Sequence, residues 1–390
     1  MKKILTFAVC AALSLSAQAQ QIESVLRQIE QNNKELQAQK QYNDAAKMEV
    51  RTQNNLGDPN VSYSPFFAKG VDGVASSEMV VSMGFDFPTL YVSRHKVGNL
   101  QREMLDRQHQ AARRDILLQA KNLCLELIRL NQEHDLLEER RKNAEDLLAL
   151  FEQRLEAGDA TALDVNKIKM ERMNVQTEVA QNNAAHRTAL QKLMAMNGNM
   201  PMEFSAITYP KIEVVRDYNQ LYDEVMATDA SLQAADAAVR AAEKTISVNK
   251  QQWIPKLEMG YRRNTSLDEK VHGVLVGGSI PLFSNRKKVK IAKAQAIGAQ
   301  LTLENARLQT EAAVQGQFNE IQQLHEAMEA YDVPLMHETL DMLKEAVTVG
   351  QMSVITYYVE ADNVYKNLAA YRDVENQYQK LMAEVYKNRL

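Results

Sequence analysis

The same strand-to-helix corner occurs twice in this chain. FPTLYVSRHKV at residues 87–97 is matched by IPLFSNRKKV at 280–289, and the likeness extends well beyond the corner. Leu36-Gln37-Ala38 recurs as Leu232-Gln233-Ala234, and Pro59 as Pro255, both 196 residues on. Pro88 and Pro281 are 193 apart, while Arg94 and Arg286, Val97 and Val289, and Gly158 and Gly350 are each 192 apart. The displacement changes by three between the paired prolines, where a loop absorbs length at little entropic cost, and by one at the corner that follows. Landmarks that keep their order identify a tandem duplication. Any fold for one half must therefore leave room for a second copy of itself.

Residues 1–19 are set apart as a predicted signal peptide. Lys2 and Lys3 precede an apolar run from Ile4 to Leu15, and Ala17-Gln18-Ala19 is a small-x-small cleavage site before Gln20. Removal takes away two lysines and no acid, changing the net charge from −4 to −6. It also removes Cys10, so Cys124 has no partner for an intrachain disulfide. The bulky Val9 before Cys10 argues against lipidation there. Beyond the leader no eighteen-residue apolar run exists, which excludes a helical multi-span protein. A pI near 6.1 gives no support for a nucleic-acid partner.

Each repeat predicts the order helix, β-hairpin, long helix, helix. The first repeat is read as 20–198 and the second as 216–390, with 199–215 between them. Residues 22–55 read as one helix, with Ile22, Val25, Leu26, Ile29 and Leu36 on one face and no Gly or Pro before Gly57. Strands are predicted at about 59–67, 78–88, 255–264 and 271–281. Met79, Val81, Met83, Phe85 and Phe87 alternate with smaller or polar residues. Prolines 59, 88, 255 and 281 fall at strand ends, where a missing N–H is tolerated.

Long helices are predicted at about 91–157 and 283–349, rods of roughly 100 Å at 1.5 Å per residue. Leu123, Leu130, Leu137, Ala144 and Phe151 recur every seven residues in the first. Val314, Ile321, Met328, Leu335, Met342 and Val349 do so in the second. Such a repeat implies left-handed supercoiling against neighbouring helices. Pro334 predicts a kink that its counterpart Lys142 does not. Helices return along 162–196 and 353–388.

The strands have the length of a tilted membrane crossing. Residues 60–91 and 253–283 hold nine aromatics, as interfacial girdles require. A soluble hairpin also alternates, but rods tipped by isolated hairpins would expose unpaired strand edges.

The doubled order, the IPLFSNRKKV corner, and RLEAGDATALDV matched by AVTVGQMSVITY resemble the TolC-type outer-membrane efflux channels. The resemblance covers essentially the whole mature chain. It implies a mainly α fold with transmembrane β, in which three chains supply a twelve-stranded β-barrel continued by a periplasmic α-helical barrel. Residues 199–215 would then be an equatorial linker. It further implies a homotrimer in outer-membrane lipid, serving a periplasmic adaptor protein and an inner-membrane efflux pump of RND or ABC type. The periplasmic tips would be Gly158, Asp159, Asp164, Gly350 and Gln351, where the adaptor docks.

In that family two carboxylates, six and nine residues after the second glycine, form a constriction ring. Here those positions are Thr356 and Val359, with Glu360 and Asp362 nearby but expected at different helical angles. Asp164, six residues after Gly158, matches an aspartate that helps tie closed tips together. Arg94, Lys96, Arg286 and Lys287 sit at helix starts, where the dipole disfavours cations. They are read as basic residues at the membrane rim, against a plain solvated face.

No catalytic signature is present: GxSxG, a P-loop, HExxH and CxxC are all missing. No cofactor and no metal site are expected. His134, His325 and His337 lack ligand spacing, and Met194, Met196, Met200 and Met202 read as flexible core filler rather than soft-metal ligands. The function expected is passive conduction of drugs, toxic small molecules or metal ions. Two alternatives stay open: an exit channel for type I protein secretion, and a soluble periplasmic coiled-coil scaffold.

Overall fold

The computed structural model describes residues 21–390. The predicted signal peptide and Cys10 lie outside the described residues. The chain forms two compact units, and each draws on both repeats. One takes in the described residues up to Ala38, Ala112–Ala227 and Glu311–Leu390; the other takes Gln39–Ala111 and Thr228–Thr310.

The second of these units holds the sheet. Strands β1 (Asn60–Phe66) and β2 (Ser76–Phe85) come from the first repeat, β3 (Lys256–Ser266) and β4 (Lys270–Ser279) from the second. They pair antiparallel in the order β1-β2-β3-β4, so the two hairpins meet along β2 and β3. That seam is close enough to demand glycine at 260. A Cβ there would lie 2.4 Å from the Val81 carbonyl oxygen. Beneath the strands, Leu90, Val97 and Val248 form a small buried cluster between α3 (Pro88–Ala157) and α6 (Ala230–Gln251). Asp229 caps α6, its carboxylate accepting from the Ser231 and Leu232 amides at 2.9 Å.

The other unit is helical. Residues 21–32 form α1, followed by α2 (Lys34–Thr52), where one uninterrupted helix was expected. The interruption is Asn33, which is buried. Its Oδ1 accepts from the Leu36 amide, and its Nδ2 donates to the Met196 carbonyl, both at 2.9 Å. The side chain caps a new helix and ties it to the end of α4 (Ala162–Met196).

α3 keeps its seven-residue stripe inside, with Leu130, Leu137, Ala144 and Phe151 buried. Between α4 and α5 (Tyr218–Thr228) the segment 199–215 has no helix or strand, yet it is packed rather than loose. Met202, Phe204, Ala206 and Tyr209 join the core around Leu125, Ile128 and Leu193, with Met194 and Met196 against it. Asn131 and Gln132 of α3 donate to the carbonyls of Ala206 and Ile207 at 2.9 and 2.8 Å, satisfying backbone that has no ladder of its own.

The second rod departs from expectation. It is two helices, α7 (Lys288–Glu329) and α8 (Val333–Thr348), not one kinked helix over 283–349. Asp332 caps α8 by accepting from the Leu335 amide at 3.0 Å, and Pro334 occupies its first turn, where a missing N–H costs nothing. The break also resets the buried stripe. Val314 and Ile321 are buried as expected, but Leu335, Met342 and Val349 are exposed in the single chain. Leu340 and Val347, again seven apart, carry the core through α8 towards α9 (Val354–Val385). α7 starts at Lys288 because residues 282–287 form a turn; α3 starts three residues earlier than expected, at Pro88.

Candidate functional site

The sheet has two unlike faces. Register places Val61, Val81, Tyr261 and Val274 in one row, Met83, Met259 and Val276 in the next, and Phe85 beside Leu257 in a third. The opposite face carries Ser62, Ser64, Glu78, Ser82, Glu258, Arg262 and Asn264. Across it Arg262 pairs with Glu78 at 2.9 Å. The apolar rows are bare, with Val274 80% and Val276 75% exposed, and a mixed row of Tyr63, Met79, Arg263 and His272 follows on that face towards the hairpin turns. A sheet in water does not leave such a face uncovered. Both outer strands, β1 and β4, also keep a free edge among the described residues.

Two turns close the helical unit at the other end of the long helices' sequence. Gly158 and Gly350 both have φ +81°, a conformation that favours glycine. In the first turn the Gly158 amide donates to Leu155 and the Asp159 amide to Arg154, at 3.1 and 2.7 Å. In the second, Gly350 donates to Val347 and Gln351 to Ala346, at 3.3 and 2.9 Å. Every partner is displaced by 192, and the pattern is a Schellman helix end in both copies. Neither glycine has a neighbour within 4 Å of where a Cβ would stand, so both turns face open space.

The next helices start alike as well. Thr161 caps α4, accepting from the Asp164 amide at 3.2 Å, while Asp164 Oδ2 accepts from the Thr161 amide at 3.0 Å. Ser353 caps α9, accepting from the Thr356 amide at 3.1 Å. Asp164 and Thr356, named above for their place in the family pattern, are thus capping-position residues in this chain. On α9, Thr356, Val359 and Glu360 share one exposed stripe. Glu360 does not sit at a different angle: it follows Thr356 by four residues, about 40° of rotation. Asp362 is turned away and pairs with Lys366 at 2.6 Å.

Below the turns a buried cluster from α3, α4, α8 and α9 includes Phe151, Ile168, Val347, Tyr357 and Leu368. Through it passes a cross-link that sequence reasoning missed. Arg140 of α3 meets Glu171 at 2.6 Å and Glu178 at 2.9 Å on α4, and its guanidinium lies over the Tyr365 ring of α9. Burial opposes the Arg140 charge, but the two glutamates more than offset it and raise its pKa. Burial raises Glu178, Arg140 pulls it down, and Glu171, Glu133 and Asp362 push it up again. The available signal was the seven-residue spacing of the two glutamates.

A second polar knot joins α3 to α9. Glu126 accepts from Arg129 at 2.8 Å and from Lys380 at 2.5 Å. Burial alone would raise its carboxyl, yet these cations bring it down to about 2. Cys124, two residues earlier on α3, is fully buried, and burial pushes its thiol up to about 12.

The basic residues at the two corners differ. Arg94 is held by Asp86 at 2.7 Å, whereas Lys96, Arg286 and Lys287 are exposed. Among the described residues, no group of three or more His, Cys, Asp or Glu is placed to hold a metal, and no helix is long and apolar enough to cross a membrane.

Residues 221–387 match the family described as outer membrane efflux protein. No curated protein matches the sequence significantly. Among solved structures, the outer-membrane channel OprN is 14% identical with a TM-score of 0.73, over 94% of this chain and 89% of that one. A membrane protein from Pseudomonas aeruginosa is 17% identical with a TM-score of 0.75, over 94% and 92%. The outer membrane protein VceC from Vibrio cholerae is 15% identical with a TM-score of 0.70, over 94% and 96%. From α5 to the final turn the chain is similar to the outer membrane efflux protein family, and across its described length it takes the fold of the outer-membrane channels.

Proposed function

We propose that this protein is the exit duct of a tripartite efflux system, set in the outer membrane with its helical part in the periplasm. The observation that carries the reading is the two-faced sheet with two free edges. Its apolar face fits lipid, its polar face with Glu78 and Arg262 fits an aqueous lumen, and neither edge can be left open in a bilayer. Four strands cannot close a barrel, but three copies contributing twelve can. Conduction through such a duct is passive, and no residue is assigned a catalytic role.

The tip turns at Gly158–Asp159 and Gly350–Gln351 are the surfaces we assign to a periplasmic adaptor, which couples the duct to an inner-membrane pump. Their support is the open space around both glycines and the identical backbone geometry of the two copies. The exposed stripe of Thr356, Val359 and Glu360 is assigned to the constriction inside the tips.

The test is fractionation followed by reconstitution. A homotrimer is expected in the outer-membrane fraction, giving discrete conductance steps in a planar bilayer. A soluble periplasmic protein would favour the scaffold instead, and a monodisperse monomer that still conducts would overturn the trimer.

A further inference from the structure

We infer that the turn after β4 is an anchor for anionic phospholipid, a role its counterpart in the first repeat has lost or never had. The inference rests on the exit-duct reading for its membrane. Beyond the last rung of the second hairpin, Lys256 opposite Ser279, the chain leaves with Trp253 and Ile254 on one side and Ile280, Leu282 and Phe283 on the other. All five are exposed, Phe283 by 83%; the matching residue of the first corner, Leu90, is 3% exposed and packs on Val97 and Val248.

Charge follows the same division. At the first corner Asp86 takes Arg94 at 2.7 Å and lies 3.7 Å from Lys256. At the second, Arg286, Lys287, Lys288, Lys290 and Lys293 follow within one turn and the start of α7, with no acidic residue between Glu269 and Glu304. Arg286, Lys287, Lys290 and Lys293 are exposed, and their side chains meet no acid among the described residues.

The turn is built, not slack. Asn285 is buried and its Nδ2 donates to the Gln252 carbonyl, while Lys288 Nζ donates to Gln252 Oε1 at 3.3 Å. Lys287 is held at φ +69°, a conformation that residues other than glycine rarely adopt. These bonds fix the Trp253 corner to the Phe283 turn, presenting aromatic and aliphatic side chains beside a block of cations. An apolar tip flanked by unpaired cations fits the boundary between acyl chains and anionic headgroups, with indole at the interface and ammonium groups at phosphate. The partner is a phosphatidylglycerol-type lipid of the periplasmic leaflet.

The chain contains a single tryptophan, so Trp253 reports on this corner alone. The full protein is reconstituted in phosphatidylcholine vesicles containing phosphatidylglycerol, with acyl chains brominated at shallow or deep positions. Shallow bromines are expected to quench Trp253 most. The variant R286Q/K287Q/K290Q/K293Q is expected to lose phosphatidylglycerol enrichment by at least about twofold in native mass spectrometry, while R94Q/K96Q leaves it unchanged. Unchanged enrichment in the fourfold variant overturns the proposal. So does a Trp253 already shielded in the detergent-solubilised protein and insensitive to brominated lipid, which would mean that a second copy covers the corner. A protein that floats with vesicles but shows no quenching overturns the anchor alone; one that does not float overturns the exit-duct reading with it.

Discussion

The two copies of the long helix diverge at one pair of equivalent positions. Arg140 in α3 and Asp332 ahead of α8 are separated by the same 192 residues as the tip glycines. In α3 the arginine stays within a continuous helix and reaches sideways to Glu171, Glu178 and Tyr365. In the second copy the aspartate turns onto its own backbone, caps a new helix, and with Pro334 makes a joint. Duplication set the frame, and two neighbouring differences, Asp332 for Arg140 and Pro334 for Lys142, mark the division between a cross-linked rod and an articulated one. The turns at Gly158 and Gly350, in contrast, kept the same pair of backbone hydrogen bonds.

If the tips are equivalent, Gly158→Trp and Gly350→Trp should each abolish export while leaving trimers intact. Positive φ makes either substitution strained, and both side chains would project from the proposed docking surface. Export assays and native gels on the two variants check this; normal export by both would remove these turns as the docking surface.

The helices that leave the tips are less alike. Asp164 has no carboxylate counterpart in the second copy, where Thr356 and Val359 stand on the exposed stripe proposed as the constriction. Trivalent cations added from the periplasmic side should block single channels only weakly. Thr356→Asp with Val359→Asp should lower the blocking concentration by about tenfold or more, since clustered carboxylates focus a negative potential. Tight block of the unmodified channel would show that Glu360, on the same stripe, already supplies the ring.

The divergent pair predicts unequal losses of stability. Arg140→Met strands Glu171 in a largely buried site and should cost about 2–3 kcal/mol, at the low end for a buried pair because Glu178 is partly solvated. Asp332→Ala removes one helix cap and should cost about 1 kcal/mol. Thermal denaturation of both variants in detergent measures the difference. Equal losses would mean that the joint is as deeply built into the fold as the cross-link.

Glu126 makes stability depend on pH. Its folded pKa of about 2 lies below the ordinary carboxylate value, so its contribution is fully present above about pH 4.5. It should fade as pH falls from there through 2. Glu126→Gln should flatten the acid limb of a stability-against-pH curve and leave the neutral plateau lower.

The elements that repeat were legible because duplication doubles the signal. Strand ends fell within three residues of observation, and both tip glycines lie where the matched residues put them. What stayed hidden needed a partner distant in sequence. Asn33 is an acceptable helix residue by propensity and stops the helix only because the Met196 carbonyl is there to receive it. The stripe of α8 was ambiguous for another reason: 335-342-349 and 340-347 are both apolar at seven-residue spacing, and only the break before Val333 selects between them. Glu360 needed nothing more than attention to the helical angle. Arg140 was one charged residue among many until α4 was set beside it.

The free edges of β1 and β4 bear on how the protein matures as well as on what it becomes. The helical clusters are built from residues of one chain, while Leu335, Met342 and Val349 stay exposed in it. If three copies close the barrel as proposed, a protomer's sheet cannot finish until neighbours arrive at both flanks, and closure is then a reaction between molecules. The rate of maturation then depends on how many protomers are present, and a protomer waiting for the others holds two reactive strands. Unpaired edges of that kind are the places where such a chain would associate edge to edge.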